Sequence, residues 1–200
     1  MKDSFAAKAA EWDSPEKISM TNKFVGELLF HVNPLATWKA LDIGTGTGLA
    51  GLQIEPFVRK VVCEDTSEAM LDILKQKLNE NSKVEILQGK VFDYKKQDID
   101  LIISCMAFHH IPDIEKTILH LATIAKTGAW VVIGDLVTED GSFHRHEPIP
   151  HKGFDTAELS KQFAQAGFDV KLVKVYNIMA RNVDAITTNY EQFILVAQRL

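Results

Sequence analysis

Cysteine is nearly absent: Cys63 and Cys105 are the only two in 200 residues. They are too few and too far apart for a disulfide framework or a thiolate metal cage. Each closes an apolar run, the usual place of a buried, reduced thiol. Basic charge is also short, with 22 Lys and Arg against 27 Asp and Glu and a formal net charge of −5. Such a balance offers no positive field to a phosphate backbone, which argues against nucleic acid held by electrostatics. No apolar stretch has the length of a membrane span. The opening residues, MKDSFAAKAAEWDSPEK, lack the apolar centre and small-residue cleavage site of a secretory leader. A cytoplasmic protein is expected. No repeat, low-complexity tract or linker divides the chain, so residues 1–200 read as one domain.

What is present is a set of short apolar runs: KALDI (39–43), KVVCE (60–64), DLIIS (100–104) and WVVIGD (130–135), with VEIL (84–87) as a fifth. Apolar residues fall at consecutive rather than alternate positions, the pattern of strands covered by helices on both faces. Between them the period changes to that of helices. Met70, Leu71, Leu74 and Leu78 follow the capping candidates Thr66 and Ser67, and Ile114, Ile118, Leu121 and Ala125 form a second stripe. Ser14-Pro15 opens a helix running to about His31. Asp155 and Glu158 open another, carrying Leu159, Phe163 and Ala166 and stopped by Gly167. Two further strand candidates, DVKLVKVY (169–176) and EQFILVA (191–197), close the chain. Alternation of this kind specifies a doubly wound α/β sheet. Residues 1–38 lie outside it as a helical cap, and residues 136–155 as a lid-like insertion.

The stretch DIGTGTGLAG (42–51) directly follows the first strand and opens a helix. Glycines there allow a tight turn and let a ligand approach the backbone closely. The acids Glu64 and Asp65 end the second strand about twenty residues on, where a carboxylate can accept from ribose hydroxyls. NAD and S-adenosylmethionine both satisfy that description.

Five ordered blocks separate the two: ALDIGTGTG (40–48), VVCEDTSEAML (61–71), DLIISCMAFHHIPD (100–113), GAWVVIGD (128–135) and AGFDV (166–170). Together they resemble the class I S-adenosylmethionine-dependent methyltransferases, in the small-molecule group that includes the quinone-biosynthesis enzymes. The resemblance implies a Rossmann-like, seven-stranded, mostly parallel sheet with helices on both faces and an antiparallel last strand. It also implies S-adenosyl-L-methionine as cofactor. Asp42 and the backbone of Gly44, Gly46 and Gly48 would face its methionyl part. Asp65 would hold the ribose, with Glu64 the alternative, and Thr66 and Met70 would flank the adenine. The turn at Lys90 and Val91 would meet the adenine edge through the Val91 N–H, and Ser104 would present backbone to the amino group. Lys90 departs from the pattern, since many relatives carry Asp there; lysine cannot accept from the adenine amino group, which leaves Asp93 as a substitute. A carboxylate such as Asp42 beside the turn suits a sulfonium and an ammonium and would repel a pyrophosphate.

Methyl transfer needs a base only where the acceptor must lose a proton. The catalytic group is open, with His109 and His144 as candidates and His110 beside them. Trp12, Phe108, His109, Phe143 and His144 are candidates for the acceptor pocket, with Phe154 as a further apolar wall. His144, His146 and His151, near Glu139 and Glu147, could form a clamp, but residues 136–154 contain no recognised metal pattern and no metal is expected. The expected activity is methyl transfer to a small molecule, at oxygen or nitrogen rather than carbon, by a monomer or homodimer. The alternatives are a non-catalytic protein that binds the same cofactor and, behind it, an NAD(P)-dependent oxidoreductase, for which no Tyr-x-x-x-Lys set is found.

Overall fold

The computed structural model describes residues 6–145, 148–183 and 186–200. Seven strands form one sheet: β1 (Lys39–Ile43), β2 (Lys60–Asp65), β3 (Val84–Gln88), β4 (Ile99–Cys105), β5 (Ala125–Leu136), β6 (Phe168–Val183) and β7 (Ile186–Arg199). Their order across the sheet is β3-β2-β1-β4-β5-β7-β6. Strands β1 to β5 pair in parallel, and β7 runs antiparallel to both β5 and β6. This is the expected architecture, antiparallel strand included. The order reverses between β1 and β4, and ligands of such sheets bind beyond the carboxyl ends of the strands at that point.

Alternate strand residues feed two apolar layers. Ala40, Val61, Leu101 and Val132 meet Phe24, Val25 and Leu28 of α1 (Pro15–His31), Ile54 of α2 (Gly51–Ile54) and Leu71 and Leu74 of α3 (Glu68–Lys77). Leu41, Val62, Ile102 and Val131 meet Ile118 and Leu121 of α4 (Ile114–Ile124) and Leu159 and Phe163 of α5 (Thr156–Gln165). The helix starts are capped much as the sequence predicts. Ser14 accepts from the Lys17 N–H, Ser67 rather than Thr66 caps α3, and Asp155 accepts from the Ala157 and Glu158 N–H groups. Among the described residues no helix is long and apolar enough to cross a membrane.

The structure departs from the expected boundaries in three places. Ala125 is the first residue of β5, not the last of a helix stripe; it pairs with Ile99, and the register then shifts before Leu101. Helix α2 has only four residues, because Pro56 converts its continuation into a short turn over Glu55–Phe57. Strands β6 and β7 are 16 and 14 residues long, roughly twice the expected runs. Pairing with β5 stops at Leu136 opposite Gln192, while β6 and β7 continue together to Val183 opposite Ile186. That overhang stands free of the parallel sheet, so it lacks the continuous apolar pattern that marks a buried strand.

Helix α1 lies hard against the sheet at Gly134, where a Cβ would sit 2.4 Å from the Phe24 ring. Gly134→Ala is therefore expected to overpack this contact and to cost about 1–3 kcal/mol. Urea unfolding should show a lower midpoint at unchanged slope; an unaltered midpoint would mean that α1 can shift without penalty.

Candidate active site

The glycine loop sits at the carboxyl end of β1 and is held from beneath by three carboxylates. Glu64 accepts from the Gly44 N–H at 3.2 Å, Asp65 from the Gly46 N–H at 2.7 Å, and Asp42 from the Gly51 N–H at 2.9 Å. Asp42 also accepts from the Thr45 hydroxyl at 2.6 Å. Only Asp65 reaches toward the surface; Asp42 and Glu64 are buried. Burial pushes the Asp42 carboxyl up to about 7, against the lowering effect of its Thr45 and Gly51 bonds. Burial likewise pushes Glu64 up to about 8. Asp42 therefore braces the loop from inside instead of facing the cleft as expected, and Asp65 is the acid at the rim.

The close approach that glycine permits is partly internal. Gly44, at φ +62°, lies so near the next loop that a Cβ would come within 2.4 Å of the Ala107 Cβ. Gly46, at φ +55°, lies beneath the Trp12 indole, whose Nε1 would be 3.5 Å from an added Cβ. Trp12 is thus brought over the loop, and the Lys17 ammonium lies 3.2 Å from its ring centroid. Its neighbour Asp13 accepts from the Thr47 hydroxyl and pairs with Lys77, tying the N-terminal segment to the loop and to α3.

The other expected cofactor contacts line the same end of the sheet. Thr66 is exposed, and Met70 is buried in the first turn of α3. Lys90 begins the turn after β3, and its N–H donates to Asp93 at 2.8 Å. Val91 is buried in that turn and its carbonyl bonds the His120 ring. Ser104 is buried and donates its hydroxyl to the Ile43 carbonyl at 3.1 Å.

Beyond β4 the chain turns through Met106, at φ +55°, into a short turn over Phe108–His110. His109 is buried there. Its Nδ1 lies 2.6 Å from Asp135 Oδ1, and its N–H donates to Asp135 Oδ2. Asp135, fully buried at the end of β5, also accepts from the Leu136 N–H. Nε2 of His109 lies 3.0 Å from His144 Nε2, within hydrogen-bonding distance. His110 stacks beside both, 4.2 Å from the His109 ring and 5.2 Å from the His144 ring, centre to centre. Burial, reinforced by the neighbouring imidazoles, pushes His110 down to about 3, so it is neutral. One nitrogen from each of the three histidines falls within 4.8 Å of the others. The sequence pairs His144 with His146 and His151 instead; His146 and Glu147 lie outside the described residues, and His151 Nε2 donates to the Ile111 carbonyl.

The lid-like segment is strapped down over this corner. Val137 bridges to Phe154, Thr138 donates to the Phe154 carbonyl, and the His151 N–H donates to the His109 carbonyl. Two pocket candidates prove to be packing residues. Phe108 is fully buried in the main apolar layer, 6.1 Å from Phe154, because the short turn folds it inward. Phe143 is buried against Tyr190 and under the Arg181 guanidinium, pinning the lid to the β6–β7 overhang. Sequence reasoning missed Asp135, whose only signal is an acid ending an apolar strand. It also missed Met106 and Gln192, whose side-chain amide reaches the Met20 and Met106 sulfurs.

Comparison with known proteins agrees with this fold. Residues 41–133 match the family model described as a methyltransferase domain. A demethylmenaquinone methyltransferase from Clavibacter sepedonicus is 25% identical over 126 residues, which cover 62% of this chain and 49% of that protein. The chain spans about half the length of the curated relatives it matches. In fold, it resembles an S-adenosylmethionine-dependent methyltransferase from Aquifex aeolicus, with a TM-score of 0.72, 20% identity and 98% of both chains covered. A Haloferax volcanii protein solved with the Trm112 methyltransferase activator gives a TM-score of 0.80 at 20% identity, covering 99% of this chain and 98% of that one. Residues 41–133 are thus similar to a methyltransferase domain, and the fold of the chain is that of solved S-adenosylmethionine-dependent methyltransferases.

Proposed function

We propose that the protein transfers the methyl group of S-adenosylmethionine to a small molecule, at an oxygen or a nitrogen. The observation that carries this is the acidic underside of the glycine loop. A pyrophosphate needs free amides and tolerates no nearby anion. Here the amides of Gly44, Gly46 and Gly51 are already taken by Glu64, Asp65 and Asp42. Asp65 alone is left at the rim to face a ligand bearing a sulfonium and an ammonium, and such a ligand would draw Asp42 and Glu64 toward their ionised forms.

The residues fit such a cofactor. Asp65, at the rim, bonds the Gly46 and Ser67 N–H groups, and its carboxylate would accept from the ribose hydroxyls. Gly44, Gly46 and Gly48 would line the methionyl part, Thr66 and Met70 the adenine face, and the Val91 N–H the adenine edge. Asp93 would take the part that Lys90 cannot, and the Ser104 backbone would meet the amino group. Trp12 would roof the cleft. The cofactor supplies a methyl group already activated on sulfur, so alignment does much of the work.

The acceptor is read from the histidine corner. The Ala107 end of that turn abuts Gly44, which places the Asp135–His109–His144 chain beside the loop. A hydroxyl or amine must lose a proton on methylation, and His109 turns its Nε2 toward His144 of the lid. A net charge of −5 disfavours a polyanionic acceptor. The Clavibacter relative is named for a quinone acceptor, itself a small molecule.

Calorimetric titration with S-adenosylmethionine should show binding to one site per chain, and Asp65→Ala should weaken it at least about tenfold through the loss of charge-assisted bonds. Methyl transfer to some member of a phenol, amine and quinone panel is expected; donor binding with no transfer to any of them would leave a non-catalytic binder.

A second outcome follows from the raised carboxyls of Asp42 and Glu64. In the free protein their stabilising effect is present below the ordinary carboxylate range, about pH 4, and is lost as pH rises through about 7 to 8. A cationic donor favours their ionised forms. Its affinity should therefore rise between about pH 6 and 8 with proton release, measurable by calorimetry in buffers of different ionisation enthalpy. The demethylated product lacks the sulfonium and should show a smaller slope; equal slopes would separate the carboxylates from cofactor charge.

A further inference from the structure

We propose that His109, His110 and His144 form a binding site for a divalent transition-metal ion of the zinc type, completed by Asp135 behind His109. The three imidazoles come from two separate segments, the turn after β4 and the lid, and their ligating nitrogens converge within 4.8 Å. A tether independent of the side chains brings the segments together: the His151 N–H donates to the His109 carbonyl at 3.2 Å.

Asp135 gives the cluster the character of a ligand set. A metal-binding histidine nearly always donates its other ring N–H to a carboxylate or carbonyl, which fixes the tautomer and makes the ligating nitrogen more basic. His109 has this arrangement, with Nδ1 on a fully buried carboxylate at 2.6 Å and Nε2 turned toward His144. The two Nε2 atoms are 3.0 Å apart. Two ligands on a tetrahedral zinc, each at about 2.0–2.1 Å, stand about 3.3 Å apart, so a few tenths of an ångström open the pair around an ion. His110 must move further, by a rotation of its half-buried ring. Three imidazoles select zinc, cobalt, nickel, copper or ferrous ions over magnesium and calcium, which prefer oxygen. The Asp135 carboxylate offsets part of the charge.

Three protein ligands leave one tetrahedral position for water or for an oxygen or nitrogen of the acceptor. An ion there replaces the direct His109–His144 bond. A bound ion would lower the pKa of a coordinated hydroxyl or amine, whose proton would pass to solvent water before methylation, so that no free imidazole would be needed as base. That role rests on the small-molecule reading above, whereas occupancy of the site does not and is measured without methyl transfer.

The test is titration of chelator-stripped protein with cobalt(II) and with zinc(II) alone. One ion per chain is expected, with the visible bands of four-coordinate cobalt and their displacement by zinc. His144→Ala and His110→Ala should each weaken the ion at least about tenfold, and Asp135→Asn by about 10–100-fold. His151→Ala should leave its affinity unchanged. His109→Ala removes a buried hydrogen-bonded group and can unfold the corner, so the variants at the half-buried His110 and His144 decide the matter. Retained S-adenosylmethionine binding shows that each variant is folded. No stoichiometric uptake by the wild type, or uptake unaffected by both His144→Ala and His110→Ala, overturns the site. Loss of cofactor binding by the stripped wild type would instead strike the methyl-transfer reading.

Discussion

The site depends on a backbone loop whose amides are satisfied by acids from its own sheet. Asp42 comes from β1, Glu64 and Asp65 from β2, and each takes one N–H of the stretch between Gly44 and Gly51. A glycine-rich turn loses the most conformational freedom on folding and has few side chains to hold it. Polar bonds must supply the order that packing cannot. Once fixed, the loop gives the turn carrying Ala107 and His109 something to rest on, and it gives Trp12 a surface to cover. The loop, the indole over it and the histidine corner therefore share one foundation.

That foundation is legible in the sequence only in part. The strands can be read because short runs of consecutive apolar residues, rich in Val and Ile, suit a strand buried on both faces. Ser14, Gly167 and Asp155 mark helix ends by local chemistry. The order of acids and glycines announces a cofactor loop. The direction of each carboxylate is not readable: Asp42 and Asp65 both flank the loop, and only the packing around them sends one inward and leaves the other at the rim. Phe108 fails as a pocket residue for a related reason. An aromatic after a strand can face cleft or core, and the short turn of residues 108–110 decides for the core. The β6–β7 overhang stays hidden because two strands that pair only with each other show no buried run.

The histidines illustrate the same limit at longer range. In sequence His144 lies next but one to His146, which suggests a local clamp. In space its partner is His109, 35 residues away, because the lid is bonded to β5 through the Phe154 N–H on the Leu136 carbonyl and to the β4 turn through His151. No periodicity encodes such a meeting. Asp135 is equally silent: an acid closing an apolar strand has meaning only once the ring it bonds is seen.

The carboxyls under the loop also bear on what would follow a reaction. A sulfonium donor would become a neutral sulfide on transfer, so the sulfonium's share of any Coulomb attraction would be lost while the ammonium's share remained. The spent nucleoside would be held less strongly than the donor. Exchange of old ligand for new would thereby be biased in one direction by the same carboxyl groups that hold the loop in shape.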